Sequence, residues 1–176
     1  ILQSSKGEEY YLNRKMGGSE GKPGCIFTQD LNSKDFTDYN TVIDGQGHTI
    51  DAKDQSRIFD VRGTAVTLKN IIFTNGHAEK TGGAIYNYGE NLRIFNCTFT
   101  NNTADSWGGA VYSYPNSYTV FVNSTFKNNK GAYGGALALL GNNNHARHDV
   151  MNCTFIANKA TADDFGGGAI FYYGAW

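Results

Sequence analysis

With 176 residues and a formal net charge of -1, the chain is long enough for one medium domain with an interior. It carries no electrostatic footprint for nucleic acid or an anionic membrane surface. Its 22 Gly and 19 Asn stand against 2 Pro, 8 Leu and 5 Glu, a balance poor in helix formers and rich in residues that accept left-handed or tightly turned backbone. Eleven Phe, eleven Tyr and 40% apolar content exclude a disordered Gly/Asn tract, so a folded, mostly β protein with many turns is expected.

The first residues, Ile1-Leu2-Gln3-Ser4-Ser5, do not read as a signal peptide, and no run approaches the ~20 apolar residues of a membrane helix. No membrane insertion by this segment is expected. Residues 1–41 hold the Gly17–Gly24 loop, Ile26-Phe27 and Asp35-Phe36 but no repeated motif. They are expected to form an N-terminal cap over an open strand edge.

From residue 42 the chain repeats. A degenerate first copy runs through Val42-Ile43-Asp44-Gly45, His48-Thr49-Ile50-Asp51 and Ile58-Phe59-Asp60-Val61. Asn-x-x-Phe then recurs four times, as Asn70/Phe73, Asn96/Phe99, Asn123/Phe126 and Asn152/Phe155, at Phe spacings of 26, 27 and 29. Each copy is followed by Gly-Gly-Ala-apolar: Gly82–Ile85, Gly108–Val111, Gly134–Leu137 and Gly167–Ile170. Two motifs in constant order at near-constant spacing define about five units over 42–176.

Within a unit the apolar residues alternate over short stretches, which predicts three short strands per unit. Asn breaks the alternation, and a left-handed bend there lets the residues before and after it point inward. Four inward columns follow: Leu68/Ile94/Phe121/Val150, Ile71/Cys97/Ser124/Cys153, Phe73/Phe99/Phe126/Phe155 and Ile85/Val111/Leu137/Ile170. One unit cannot bury its own interior, but stacked parallel coils can, so a right-handed parallel β-helix is expected. A leucine-rich repeat shares the Asn ladder and the repeat length, yet needs more Leu than this chain has. The sequence stops at Gly174-Ala175-Trp176, directly after a Gly-Gly-Ala motif, which predicts a solenoid truncated at that end.

These motifs carry a resemblance. Gly-Gly-Ala-Ile with Phe-x-x-Asn (Phe99/Asn102, Phe126/Asn129, Phe155/Asn158) resembles the repeats of chlamydial polymorphic outer-membrane proteins. Ile43–Asp51, Ser56–Phe59 and Val66–Asn70, with Gly-Gly-Ala-Ile-Tyr, look like the adhesin-like surface proteins of methanogenic archaea. The resemblance covers about residues 42–173 and implies a β-helix displayed outside the cell, with adhesion as its task. Two departures are Gly76, where later repeats have Asn, and Ala138-Leu139-Leu140, where others carry aromatics.

Catalysis is not expected. Glycoside hydrolysis needs two carboxylates within several ångströms of one bond, and Asp163-Asp164, an adjacent acidic pair within the repeats, lies about four coils or ~20 Å from Gly47-His48 and Arg57-Ile58, strings similar to those of pectin-degrading β-helices. Asp44, Asp51 and Asp60 fall on separate strands of one coil, which aims them apart rather than at a shared calcium. Gly45-Gln46-Gly47 precedes a strand, so it is a turn and not a nucleotide loop. His145 and His148 lie in the insertion of the third spacing and lack metal-ligand partners. No metal and no cofactor are expected. Cys25, Cys97 and Cys153 form no disulfide framework, and Cys97 and Cys153, two coils or ~10 Å apart, are too distant to pair.

With Ile85, Val111, Leu137 and Ile170 inward, Tyr86, Tyr112 and Phe171 point outward, followed two residues on by Tyr88, Tyr114 and Tyr173. This external aromatic ladder is the candidate binding face for a glycan or a surface protein of another cell. The reading that the residue pattern favours over binding is that stacked rings stabilise neighbouring strands. A spacer role, or a fragment of a carbohydrate-active β-helix enzyme, are the other readings. Four N-glycosylation sequons occur, at Asn96, Asn101, Asn123 and Asn152; three belong to the bend ladder, and Asn101 alone is expected to be free.

Overall fold

A computed structural model describes residues 9–11, 41–141, 147–164 and 166–174. The Gly17–Gly24 loop, Ile26-Phe27, Asp35-Phe36, Cys25, His145 and Trp176 lie outside the described residues. The chain winds as a right-handed parallel β-solenoid of about four turns, with no helix among the described residues.

Four sheets run along its axis. The first stacks Glu9–Tyr11, Thr41–Asp44, Val66–Lys69, Leu92–Phe95, Thr119–Val122 and His148–Met151. The second stacks Thr49–Asp51, Ile72–Thr74, Thr98–Thr100, Thr125–Lys127 and Thr154–Ile156. The third consists of the two-residue strands His77–Ala78, Thr103–Ala104, Lys130–Gly131 and Lys159–Ala160, and the fourth of Phe59–Val61, Ile85–Asn87, Val111–Ser113, Leu137–Leu140 and Ile170–Tyr173. Every pairing is parallel and in register. Within the segment expected to form a cap, Glu9–Tyr11 adds a strand to the first sheet at Glu9↔Val42.

The expected inward columns are the core. Ile43, Leu68, Ile94 and Phe121 are fully buried in one sheet, as are Phe73, Phe99 and Phe126 in the next. The Phe rings stack face to face along the axis, with centroids 4.8 Å apart for Phe73–Phe99 and Phe99–Phe126 and 4.9 Å for Phe126–Phe155. That distance is the strand separation itself, so identical residues at one position are forced into contact. In the last described coil the column members are less covered: Ile170 is 37% exposed, whereas Ile85, Val111 and Leu137 are fully buried.

Left-handed backbone shapes the coil. Asn70, Asn96, Asn123 and Asn152 have φ of 54°, 49°, 51° and 50°, the geometry that Asn adopts more readily than other side chains. Their amides bond along the axis: Asn96 Nδ2 donates to Asn70 Oδ1 (2.7 Å) and Asn152 Nδ2 to Asn123 Oδ1 (2.6 Å). From Val66 on, each coil has four strand segments, not three, because a second left-handed bend at Asn75, Asn101, Asn128 and Ala157 (φ 51–56°) ends the Phe strand and starts the short third sheet. The corner before the fourth sheet needs glycine: Gly82, Gly108 and Gly134 have φ of 62°, 64° and 72°, and a Cβ on Gly108 would run into the Val111 carbonyl. Gly76 departs from the Asn pattern for a related reason. An added Cβ there would meet the Gly83 carbonyl, while its N–H donates to Asn102 Oδ1 (2.8 Å) as the N–H of Asn102 does to Asn129 Oδ1.

Two buried polar systems cross the interior. Asn102 and Asn129 are fully buried and form an inner ladder with Asn158: Asn102 Nδ2 donates to Asn129 Oδ1 (3.0 Å), and Asn129 Nδ2 to Asn158 Oδ1 (2.9 Å) and to the Phe99 carbonyl (3.0 Å). Asn87 donates to Ser113 Oγ and Thr119 Oγ1, and Ser113 also bonds Ser117. Such groups are tolerated inside because each finds a partner. Cys97 and Cys153 are free thiols in one column. Burial pushes the Cys97 thiol up to about 12, outweighing its hydrogen bonds to backbone.

Candidate binding face

The fourth sheet places the aromatic residues. Its outward positions are in register as Asp60↔Tyr86↔Tyr112↔Ala138↔Phe171, with Leu140↔Tyr173 two residues on. Tyr86, Tyr112, Phe171, Tyr88, Tyr114 and Tyr173 therefore share one face, but they are not equally accessible.

Tyr86 and Tyr112 stack at 5.4 Å with an interplanar angle of 10°, so each covers a face of the other. Tyr112 is only 8% exposed, enclosed by Tyr86, Tyr114, Trp107, Ala138 and Leu140. Ala138 breaks the aromatic column without leaving a notch. Trp107 from the coil before and Phe171 from the coil after meet edge to face at 5.1 Å, and Ala138 beneath is fully buried. The accessible rings are Tyr88, 51% exposed, and Tyr173, 64% exposed, with Tyr114 half-buried against Tyr88 at 4.5 Å and 46°.

Sequence reasoning missed Trp107 and Tyr133, and it considered Arg57 only for its likeness to pectin-degrading β-helices, not as a neighbour of the aromatic face. Thr81, Trp107 and Tyr133 bridge in register, each directly before a Gly-Gly pair, and that position was the available signal. Trp107 and Tyr133 lie 5.1 Å apart. The Arg57 guanidinium sits 5.1 Å from the Tyr86 centroid, a cation–π distance, and donates to the Thr81 and Gly82 carbonyls. Exposed Arg62 pairs with Asp60 at 3.0 Å. The face is thus an aromatic strip with charged groups at its first-coil end.

Burial pushes the Tyr112 phenol up to about 12 from 10.0, with the neighbouring Tyr86 and Tyr114 adding to the effect. A neutral phenol held in the fold stabilises it fully below pH 10, and this contribution is lost as pH rises towards the folded-state value. In an absorbance titration, wild type minus Tyr112→Phe is expected to show a phenolate forming near pH 12. A difference curve centred near 10 would contradict the packing.

The acidic residues considered for catalysis are tied to structure. Asp44 Oδ1 accepts from Asn70 Nδ2 (2.9 Å), so it begins the Asn ladder where no earlier Asn precedes it, and Asp51 Oδ1 accepts from Asn75 Nδ2 (2.9 Å) at the second bend. For Asp44, burial raises the carboxyl pKa, but the Asn70 and Gln46 hydrogen bonds and the Lys69 charge together hold it below the usual value. Asp60 faces Arg62, and exposed Asp164 accepts a hydrogen bond from Tyr133 (3.2 Å). His48 Nδ1 is 2.9 Å from the Gly45 carbonyl and His148 Nε2 is 3.1 Å from the Leu140 carbonyl. Among the described residues no three His, Cys, Asp or Glu side chains group as metal ligands.

A family model described as right handed beta helix region matches residues 24–175. The chain belongs to that family. The match starts 18 residues before the first repeat at residue 42, so it takes in part of the segment expected to cap the β-helix. Comparison with curated proteins and with solved structures returned no match.

Proposed function

We propose that this β-helix is a non-catalytic, adhesin-like segment displayed outside the cell, and that it binds a glycan on another cell through the accessible part of the aromatic face. The observation that carries this reading is the unequal burial within the face. Tyr86, Tyr112, Trp107 and Phe171 cover one another, whereas Tyr88, in a coil with neighbours on both sides, is 51% exposed. A role confined to strand stabilisation is fulfilled by the covered rings and does not require an open one. Tyr combines a wide apolar ring with a hydroxyl at low entropic cost, which suits the C–H faces and hydroxyls of a sugar.

A panel of glycans and polysaccharides tests the reading. Bound, intact ligand is the expected result, whereas new reducing ends or unsaturated products would identify an enzyme fragment instead. Tyr88→Ala and Tyr114→Ala are each expected to weaken binding about tenfold, equivalent to ~1.4 kcal/mol, with little change in stability for Tyr88→Ala. Undiminished affinity in both variants would remove the face from the binding site.

A further inference from the structure

We propose that Asn101 is the N-glycosylation site of this chain. Four sequons are present, at Asn96, Asn101, Asn123 and Asn152. All four side chains are exposed and all four backbones are left-handed, with φ of 49–56°. Exposure therefore does not distinguish them.

Hydrogen bonding does. Asn96 Nδ2 is spent on Asn70 and Asn152 Nδ2 on Asn123 Oδ1, so a sugar on either nitrogen would break a bond between coils ~4.8 Å apart. Asn123 is tied through its oxygen, which accepts from the next coil and fixes the amide within the ladder. At Asn101 the backbone N–H donates to the Lys127 carbonyl (3.1 Å), while the side-chain amide makes no hydrogen bond among the described residues. The bend turns Asn101 out and its neighbour Asn102 fully in. Within this bend column Asn101 alone has the acceptor sequence, since Asn75 is followed by Gly76-His77 and Asn128 by Asn129-Lys130. The bend joins the second and third sheets, so its sugar would leave the aromatic residues of the fourth sheet uncovered.

In the transfer, Asn101 Nδ2 attacks the anomeric carbon of a lipid-linked oligosaccharide. The C–N bond forms as the C–O bond to phosphate breaks, the lipid phosphate leaves, and the displaced amide proton passes to a base of the transferase. In the folded coil Thr103 Oγ1 is engaged with His77 Nδ1 at 2.9 Å and Asn102 is buried, so transfer precedes packing of this coil. The preference is imposed at folding: the finished fold accommodates the product at Asn101 and disfavours it on the ladder, so the chains that fold and are secreted are those with the sugar on Asn101.

This inference rests on the extracellular reading, but its test does not. The chain, given a secretion leader, is expressed in a glycosylating eukaryotic host, and glycopeptides are mapped after enzymatic release in heavy-oxygen water. Asn101 is expected to be the dominant occupied site. Asn101→Gln and Thr103→Ala should each return the unmodified mass, while Asn96→Gln, Asn123→Gln and Asn152→Gln retain the sugar. A secreted protein without sugar, or with sugar chiefly on a ladder Asn, would overturn the proposal. Because the leader is supplied, that outcome leaves the display reading untouched, which is tested separately by surface labelling of native cells.

Discussion

Alanine in place of Phe99 is expected to lower the free energy of unfolding by about 3–5 kcal/mol, the range for removing a fully buried aromatic side chain. Phe99 is the strongest choice because both faces of its ring are used, by Phe73 and Phe126, each at 4.8 Å. In a solenoid each coil touches only its neighbours, so stability resides in the interfaces between coils. Truncating Phe99 damages two of them. Phe155, partly exposed and stacked on Phe126, is the control: its alanine variant should lose much less. Chemical denaturation of both variants gives the comparison, and equal losses would show that the Phe column does not couple the coils.

The second large effect is expected at Asn129. Its side chain accepts from the Asn102 backbone N–H (3.0 Å) and side-chain amide (3.0 Å) and donates to the Phe99 carbonyl (3.0 Å). Asn129→Ala strands the Asn102 N–H and the Phe99 carbonyl in the interior, at about 1–3 kcal/mol for each orphaned group. The neighbouring Asn128→Ala, at an exposed left-handed position with φ 55°, should cost only the conformational penalty of about 1–2 kcal/mol. Two adjacent asparagines thus differ in role, and denaturation midpoints of the two variants will show it. A milder loss at Asn129 than at Asn128 would mean that water enters the column.

The recurring Asn-x-x-Phe and Gly-Gly-Ala strings made the stacked columns legible, because in-register parallel pairing turns equal spacing in sequence into contact in space. The position of Gly76 was visible as a departure, but its cause, the nearby Gly83 carbonyl, was not. The third sheet was missed because its strands have two residues, too few for any periodicity. The Asn87–Ser113–Thr119 cluster was hidden for another reason. Its members come from two sheets, and buried polar residues carry no pattern until their partners are known.

On the candidate face, alternation was enough to place Tyr86, Tyr112, Phe171, Tyr88, Tyr114 and Tyr173 on one side of the fourth sheet. It was not enough to separate Tyr112, 8% exposed, from Tyr88, 51% exposed. The repeat by itself determined which residues share a column and which side of a strand they occupy, since both follow from a fixed coil length and the two-residue period of a strand. Only the tertiary structure decided which rings remain open to a ligand. Ala138 lets Trp107 and Phe171 close over the column from coils on either side, and solvent access depends on such neighbours rather than on a residue's own place in the repeat.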